Sequence, residues 1–232
     1  MDAPRVSIII LNWNGWEDTI ECLESLYRIT YPNYDVIVVD NGSMDDSIQK
    51  IMKYAEGKIE VHSKFFEYNP SNKPIKVFEV NEEEARQGIF NKPSYEKFNV
   101  NRRMILIKNM ENYGYAGGNN IGIKFALSIL NPDYVLLLNN DTVVDPNFLT
   151  ELVKVAESNE KIGIVGPKIY YYDYNGKSNI IQYCGVRFIP KILHKKVIGY
   201  KKTHCRDVKP NLTDEVHGAC MLVKRNLFWE VG

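Results

Sequence analysis

The sequence predicts an α/β fold with a mainly parallel central sheet, and three observations carry that prediction. Four short runs, VSIIIL, YDVIVV, MILI and YVLLL, are apolar without alternation, the pattern of strands buried on both faces. Helix-period segments lie between most of them, so the strands need crossover connections and pair in parallel. Three of the runs also end abruptly in Asn, Asp, Gly or Ser, residues that turn the chain at a strand end.

The elements follow in order. Val6 to Leu11 is the first strand and stops at Asn12-Trp13-Asn14-Gly15. A helix starts at Trp16, with Ile20, Leu23, Leu26 and Tyr27 at three- and four-residue spacing. Tyr34 to Val39 is the second strand, ending at Asp40-Asn41-Gly42-Ser43. Asp45, Asp46 or Ser47 caps the next helix, whose apolar side is Ile48, Ile51, Met52 and Ala55. The polar stretch from about His62 to Arg103, with Pro70, Pro74 and Pro93, breaks the rhythm. It reads as an insertion with some strand or helix of its own, near Ile75 to Val80. Met104 to Lys108 is a strand, followed by a glycine-rich loop from Asn112 to Asn120 and a helix from about Asn119 to Leu130. Tyr134 to Leu138 leads to Asn139-Asn140-Asp141. Pro146 then opens a helix to about Ser158, with Asp145 as its cap. Ile162 to Val165 and Ala219 to Val223 are further apolar segments. With no repeat, linker or low-complexity tract, residues 1–232 read as a single domain.

Composition narrows the function classes. Apolar residues make up 44% and charged residues 25% of the chain, which excludes wholesale disorder. Twenty-nine basic residues balance 29 acidic ones, so the basic excess of a duplex-binding protein is absent and no nucleic-acid partner is expected. Cys22, Cys184, Cys205 and Cys220 form no CxxC pair, which argues against structural zinc. So few cysteines in so long a chain suggest a reducing compartment, with Cys22 and Cys220 in the core. The N-terminus lacks the pattern of a signal peptide, and no apolar stretch approaches the ~18 residues of a membrane span.

In an open parallel sheet the carboxyl ends of the strands share one edge, where ligands bind. The loops at Asn12 to Gly15, Asp40 to Ser43 and Asn139 to Asp141 therefore converge, together with the glycine-rich loop. Asp40 suits a base N–H or a ribose hydroxyl. Gly114 to Gly118 would let backbone N–H groups approach a ligand. Their sequence, G-Y-A-G-G, is neither the GxGxxG fingerprint nor a P-loop, which weakens dehydrogenase and kinase readings. Asp141 suits a hard cation such as Mg²⁺ or Mn²⁺, which binds one or two carboxylates plus substrate phosphates.

The ordered motifs VSIIILNWNG, DVIVVDNGS, NYGYAGGNNIG, YVLLLNNDTVVDP and EVHGACMLVKR resemble the inverting glycosyltransferases of family 2. The likeness is greatest to the rhamnosyltransferase-like branch that works in cell-surface polysaccharide and glycan assembly. It covers Val6 to Gly232 apart from the insertion. It implies the GT-A fold, a Rossmann-like α/β/α sandwich, and a divalent metal, Mg or Mn. It also implies a UDP-, dTDP- or GDP-linked sugar donor and a glycan or lipid-linked acceptor. Asn12 and its loop would line the nucleotide, and Asp40 would bond the base with Ser43 beside it. Asn112, Gly114, Gly118 and Asn119 would lie near the ribose and diphosphate. Asn139-Asn140-Asp141 stands at the family's DxD motif, with Asp141 as metal ligand and Asn139 in place of the first aspartate. His217 and Gly218 would contact the diphosphate or acceptor.

The family's acidic base lies beyond a Val-Gly ending, so it is expected after Gly232 and the chain is expected to be truncated. Asp214 and Glu215 are not expected to replace it. The implied location is cytoplasmic, free or peripheral at the inner face of the membrane. The competing classes are a nucleotidyltransferase and a nucleotide-sugar-binding fragment without catalysis. The first is weakened by the absence of Lys or Arg from NWNGWEDT.

Overall fold

A computed structural model describes residues 3–189, 194–204 and 210–231. The first half of the chain runs β1 (Val6–Asn12), α1 (Trp16–Leu26), β2 (Tyr34–Asp40), α2 (Ser47–Ala55), β3 (Lys76–Asn81), α3 (Glu82–Gln87), α4 (Lys92–Glu96), β4 (Arg103–Lys108) and α5 (Gly114–Phe125). The second half runs β5 (Tyr134–Asn139), α6 (Phe148–Glu157), β6 (Ile164–Val165), β7 (Ile169–Tyr170), β8 (Ile181–Tyr183), β9 (Val186–Ile189), β10 (His194–Val197), β11 (Cys220–Lys224) and α7 (Leu227–Glu230).

Seven strands form one sheet in the order β3-β4-β2-β1-β5-β11-β6. Strands β1 to β5 pair in parallel, and β11 runs antiparallel to both β5 and β6. The unalternating apolar runs are explained by burial on both faces. Val6, Ile8 and Ile10 of β1 join the core that α1, α2 and α6 cover, while Ile9 joins the opposite core with Phe125 of α5. From β1 the chain moves to β2 and on to β3 and β4 on one side, and then crosses from β4 to β5 on the other side of β1. That reversal opens a crevice beyond the strand ends, the usual place for a ligand in such sheets. Register puts Asn12 beside Asp40 and Leu11 beside Asn139, so the predicted loops do share one edge.

Three local expectations change. The glycine-rich segment is not a loop: α5 begins at Gly114 rather than near Asn119. Where α5 meets the sheet its glycines serve packing, since a Cβ on Gly122 would lie 2.9 Å from both Ile9 and Val39. Helix α6 begins at Phe148, two residues after Pro146; Asp145 instead accepts from the Asn147 N–H at 2.8 Å and tightens the turn ahead of it. Cys22 and Cys220 are buried free thiols as expected, but Cys184 is disulfide-bonded, which four thiols in a reducing compartment did not anticipate. Cys205 and Gly232 lie outside the described residues.

The element expected near Ile75 to Val80 is the strand β3, which extends the sheet at its edge beyond β4. The entry to this segment is anchored by Lys73, whose ammonium lies 2.9 Å from Glu24 of α1 and 4.2 Å from the Tyr54 ring centre of α2. Among the described residues no helix is long and apolar enough to cross a membrane.

Candidate functional site

The edge of the sheet at the reversal is organised by buried amides and one carboxylate. Asn12 ends β1 and donates its side-chain N–H to Asp40 Oδ1 at 2.8 Å and to Ser43 Oγ at 3.1 Å. The Ser43 hydroxyl donates to Asp40 Oδ1 at 2.6 Å, and the Ser43 N–H donates to Oδ2 at 3.1 Å. Asn12 Oδ1 accepts from the Thr19 hydroxyl at 2.8 Å. Asn12 and Asp40 are buried, so the pair fixes the first turn of α1 and the 40–43 turn in one arrangement.

Asn41 repeats the device one residue on. Its side-chain N–H donates to Asn112 Oδ1 at 2.7 Å, and its Oδ1 accepts from Asn109 Nδ2 at 3.0 Å. Asn112 Oδ1 also accepts the Gly114 N–H at 2.8 Å. Asn112 is thus the joint between the end of β2 and the start of α5. Gly114 is exposed and has φ +69°, and a Cβ there would meet nothing within 4 Å. The N-cap residue Tyr113 makes no side-chain cap, and beyond the Gly114 N–H held by Asn112 the first turn of α5 presents the positive end of the helix dipole at this edge.

Gly118 and Asn119 are corrected. Both sit inside α5 and are buried. A Cβ on Gly118 would lie 2.5 Å from Leu11 Cδ1 and 2.8 Å from Asn41 Oδ1, and Asn119 donates to the Tyr115 carbonyl at 2.9 Å. They hold the helix on the sheet and do not face open space. The physical reason is the early helix start, which turns positions 118 and 119 inward.

Across the crevice, β11 brings the 217–219 segment to the end of β5: the Asn139 N–H donates to the Ala219 carbonyl at 2.9 Å. His217 Nδ1 accepts the Ala219 N–H at 3.1 Å, which leaves Nε2 as the protonated nitrogen of a neutral ring. Gly218 is exposed, and its carbonyl accepts from the Tyr115 hydroxyl at 3.0 Å. Tyr115 therefore bridges the first turn of α5 and the start of β11. Its phenol is pushed up by burial and by the charge of Asp141.

Asp141 is exposed at the end of β5. Asn140 donates to Thr19 Oγ1 at 3.1 Å and to the Gly15 carbonyl at 3.3 Å, which sets the first turn of α1 beside it. Asp18 on that turn is raised from the ordinary aspartate value by burial and by the charges of Asp141, Glu21 and Glu17. The side-chain oxygen of Asn139 is buried with no hydrogen-bond partner. No trio of His, Cys, Asp and Glu that could cage a metal occurs among the described residues. One carboxylate with an orphaned amide oxygen still fits a hard cation that takes its remaining ligands from a diphosphate.

Sequence reasoning missed Tyr115, Asp18 and Asn41. Tyr115 and Asn41 lie inside recognised motifs but look like ordinary turn residues. Asp18 gave no signal beyond an acid in a helix first turn. Asp214 and Glu215, passed over as bases, are engaged elsewhere: Asp214 accepts the Phe188 N–H at 2.7 Å and Glu215 pairs with Lys195.

The family model for glycosyl transferase family 2 matches residues 7–73 and 94–232. The chain belongs to glycosyl transferase family 2. The family match leaves residues 74–93 unassigned, a narrower insertion than the expected 62–103. The chain is 31% identical over 121 residues to the low-salt glycan biosynthesis hexosyltransferase Agl10 of Haloferax volcanii, covering 52% of this chain and 37% of that protein. It is 27% identical over 150 residues to hyaluronan synthase 2 of Mus musculus, covering 63% of this chain and 25% of the synthase. It spans less than two fifths of the length of these relatives. Among solved structures, the mannosyltransferase PcManGT from Pyrobaculum calidifontis, in complex with GDP-Man and Mn²⁺, aligns with TM-score 0.57 at 18% identity. That alignment covers 100% of this chain and 48% of the mannosyltransferase. S. aureus TarS 1-349 aligns with TM-score 0.51 at 14% identity over 97% of this chain and 48% of TarS. The family 2 fold is therefore GT-A, as expected.

Proposed function

We propose that this chain is the catalytic-fold portion of an inverting glycosyltransferase. It transfers a hexose or rhamnose from a nucleotide-diphosphate donor to a glycan or lipid-linked acceptor in cell-surface polysaccharide or glycan assembly. The observation that carries this reading is the convergence of Asn12, Asp40 and Ser43, the N-terminus of α5, and Asn139 to Asp141 at the strand reversal. Membership of family 2 supports the same chemistry.

In this reading the buried Asp40 carboxylate accepts from the nucleobase or ribose, already oriented by Asn12 and Ser43. Asn112 and Gly114 border the ribose and diphosphate. Gly118 and Asn119 keep α5 seated so that its first turn meets the phosphate charge. Asn139 would offer its orphaned oxygen to a ribose hydroxyl or to the cation, and Asp141 would hold an Mg²⁺ or Mn²⁺ ion. When bound, that ion neutralises charge growing on the departing diphosphate. His217 Nε2–H and the Gly218 segment lie on the acceptor or diphosphate side. The acceptor hydroxyl oxygen bonds to the anomeric carbon from the face opposite the diphosphate. The anomeric C–O bond breaks with its electron pair going to the diphosphate, and the hydroxyl proton passes to a base.

The deciding experiment is thermal unfolding with UDP, dTDP and GDP, each with and without Mn²⁺. A nucleotide that binds only the native state stabilises by about 2.7 kcal/mol at a hundredfold excess over Kd. Absence of a shift with all three, with and without metal, overturns the reading.

A further inference from the structure

Residues 74–93 stand outside the family match, yet α3 within them touches the segment that carries Asn112. Glu82 opens α3 and is only 6% exposed. Its Oε2 accepts the backbone N–H of Met110 at 2.8 Å, and its Oε1 accepts Arg86 Nε at 2.7 Å. The Arg86 guanidinium then lies over the Tyr113 ring, 5.3 Å from its centre. Tyr113 in turn rests across the first turn of α5, where a Cβ on Gly117 would come within 2.8 Å of Tyr113 Cβ.

The same segment is held from its other side by β2. The Asn109 N–H donates to the Asp40 carbonyl at 2.9 Å, and the Tyr113 N–H donates to Asn41 Oδ1 at 3.3 Å. A Cβ on Gly42 would strike the Glu111 backbone at 2.7 Å. Helix α3 is itself rigidly ended: Asn81 and Glu84 form reciprocal side-chain-to-backbone bonds at 2.9 Å, and Gly88 closes it at φ +69° against Ile129 and Ser128.

We infer that the 74–93 insertion is a clamp for the nucleotide-sugar site, with Glu82 as the positioning residue that seats the Met110–Tyr113 segment against Asp40 and Asn41. The inference rests on the functional reading above and adds to it a residue outside the family match. A backbone N–H bonded to a buried carboxylate is a strong, directional tether. Releasing it frees Asn112 and the start of α5 that Asn112 holds, without touching the ligand. The Glu82 carboxyl is pushed up by burial but more strongly held down by the Met110 N–H, Arg86 and Tyr113, so it stays below the usual glutamate range.

The test compares Glu82→Ala, Glu82→Gln and Arg86→Ala with the unaltered chain in two measurements. Amide hydrogen exchange is followed at 109–114 without nucleotide, and affinity is titrated with UDP, dTDP and GDP plus Mn²⁺. Glu82→Ala is expected to speed exchange at Met110 to Gly114 selectively and weaken nucleotide binding roughly tenfold. Glu82→Gln retains an acceptor oxygen for Met110 and is expected to restore most of both. Arg86→Ala is expected to cost two- to threefold, and it carries the test should Glu82→Ala fail to fold. Unchanged exchange and affinity in Glu82→Ala, or equal loss in Glu82→Gln, overturns the clamp. If the unaltered chain binds none of the three nucleotides, the functional reading fails first and the clamp falls with it.

Discussion

Asn12 donates its side-chain N–H to the Asp40 carboxylate at 2.8 Å, joining the ends of β1 and β2. Both residues are buried, and Ser43 and Thr19 complete the set. The pair fixes where α1 and the 40–43 turn begin, and so the shape of the crevice at the strand reversal. Removing the carboxylate strands the Asn12 amide and the Ser43 N–H. Asp40→Ala should cost about 1–3 kcal/mol in urea unfolding and lose nucleotide binding in calorimetry. An Asp40→Ala protein with undiminished affinity would confine Asp40 to a structural role.

Asp141→Asn should abolish the metal-dependent part of nucleotide binding, because Asp141 is the sole carboxylate of Asn139-Asn140-Asp141. Asp18→Asn should weaken that dependence only about two- to threefold, since Asp18 feels Asp141 as a neighbouring charge. Titration with and without Mn²⁺ distinguishes the two. Full metal dependence in Asp141→Asn would move the cation site elsewhere.

Two glycines of α5 should respond differently to alanine. Gly118→Ala drives a methyl to within 2.5 Å of Leu11 Cδ1, so destabilisation of about 1–3 kcal/mol is expected from overpacking. Gly114→Ala meets nothing within 4 Å but must hold φ +69°, which costs about 1–2 kcal/mol. Denaturant midpoints of the two variants, with amide exchange along α5, separate a packing defect from a backbone one.

Alkali should weaken the fold. Burial pushes the Cys22 and Cys220 thiols up to about 12 from 9.0 and raises Tyr27, Tyr54 and Tyr95 well above 10. Folded-state values above the unfolded ones mean that the native state keeps protons the unfolded state has lost. The stability from these groups is complete below about pH 9 and declines as pH rises toward 12. Urea midpoints between pH 8 and 11 should fall accordingly. Iodoacetamide at pH 8 should leave Cys22 and Cys220 unlabelled in the native protein. Rapid native labelling of either would contradict their burial.

Strands β1, β2, β4 and β5 were legible in the sequence because a strand buried on both faces is apolar at nearly every position, and that leaves a continuous run; β3, at the sheet edge and largely exposed, leaves none. The turn residues Asn12, Asp40 and Asn139 were legible for the same reason, since each interrupts such a run. Other features were decided only by tertiary structure. The glycines of 114–118 look like a loop in sequence, yet Gly118 lets α5 lie on Leu11 and Asn41 while Gly114 opens the helix at φ +69°, so close approach and a left-handed start explain them rather than chain flexibility. Asp18, Tyr115 and Glu82 each meet a partner from a distant segment, Asp141, Gly218 and Met110 respectively. Their spacing along the chain carries no trace of the meeting, because a hydrogen bond such as Glu82 to Met110 depends on the positions of two backbones and not on either local pattern. Sequence by itself determined which segments are buried. Packing decided which polar groups those segments bring face to face.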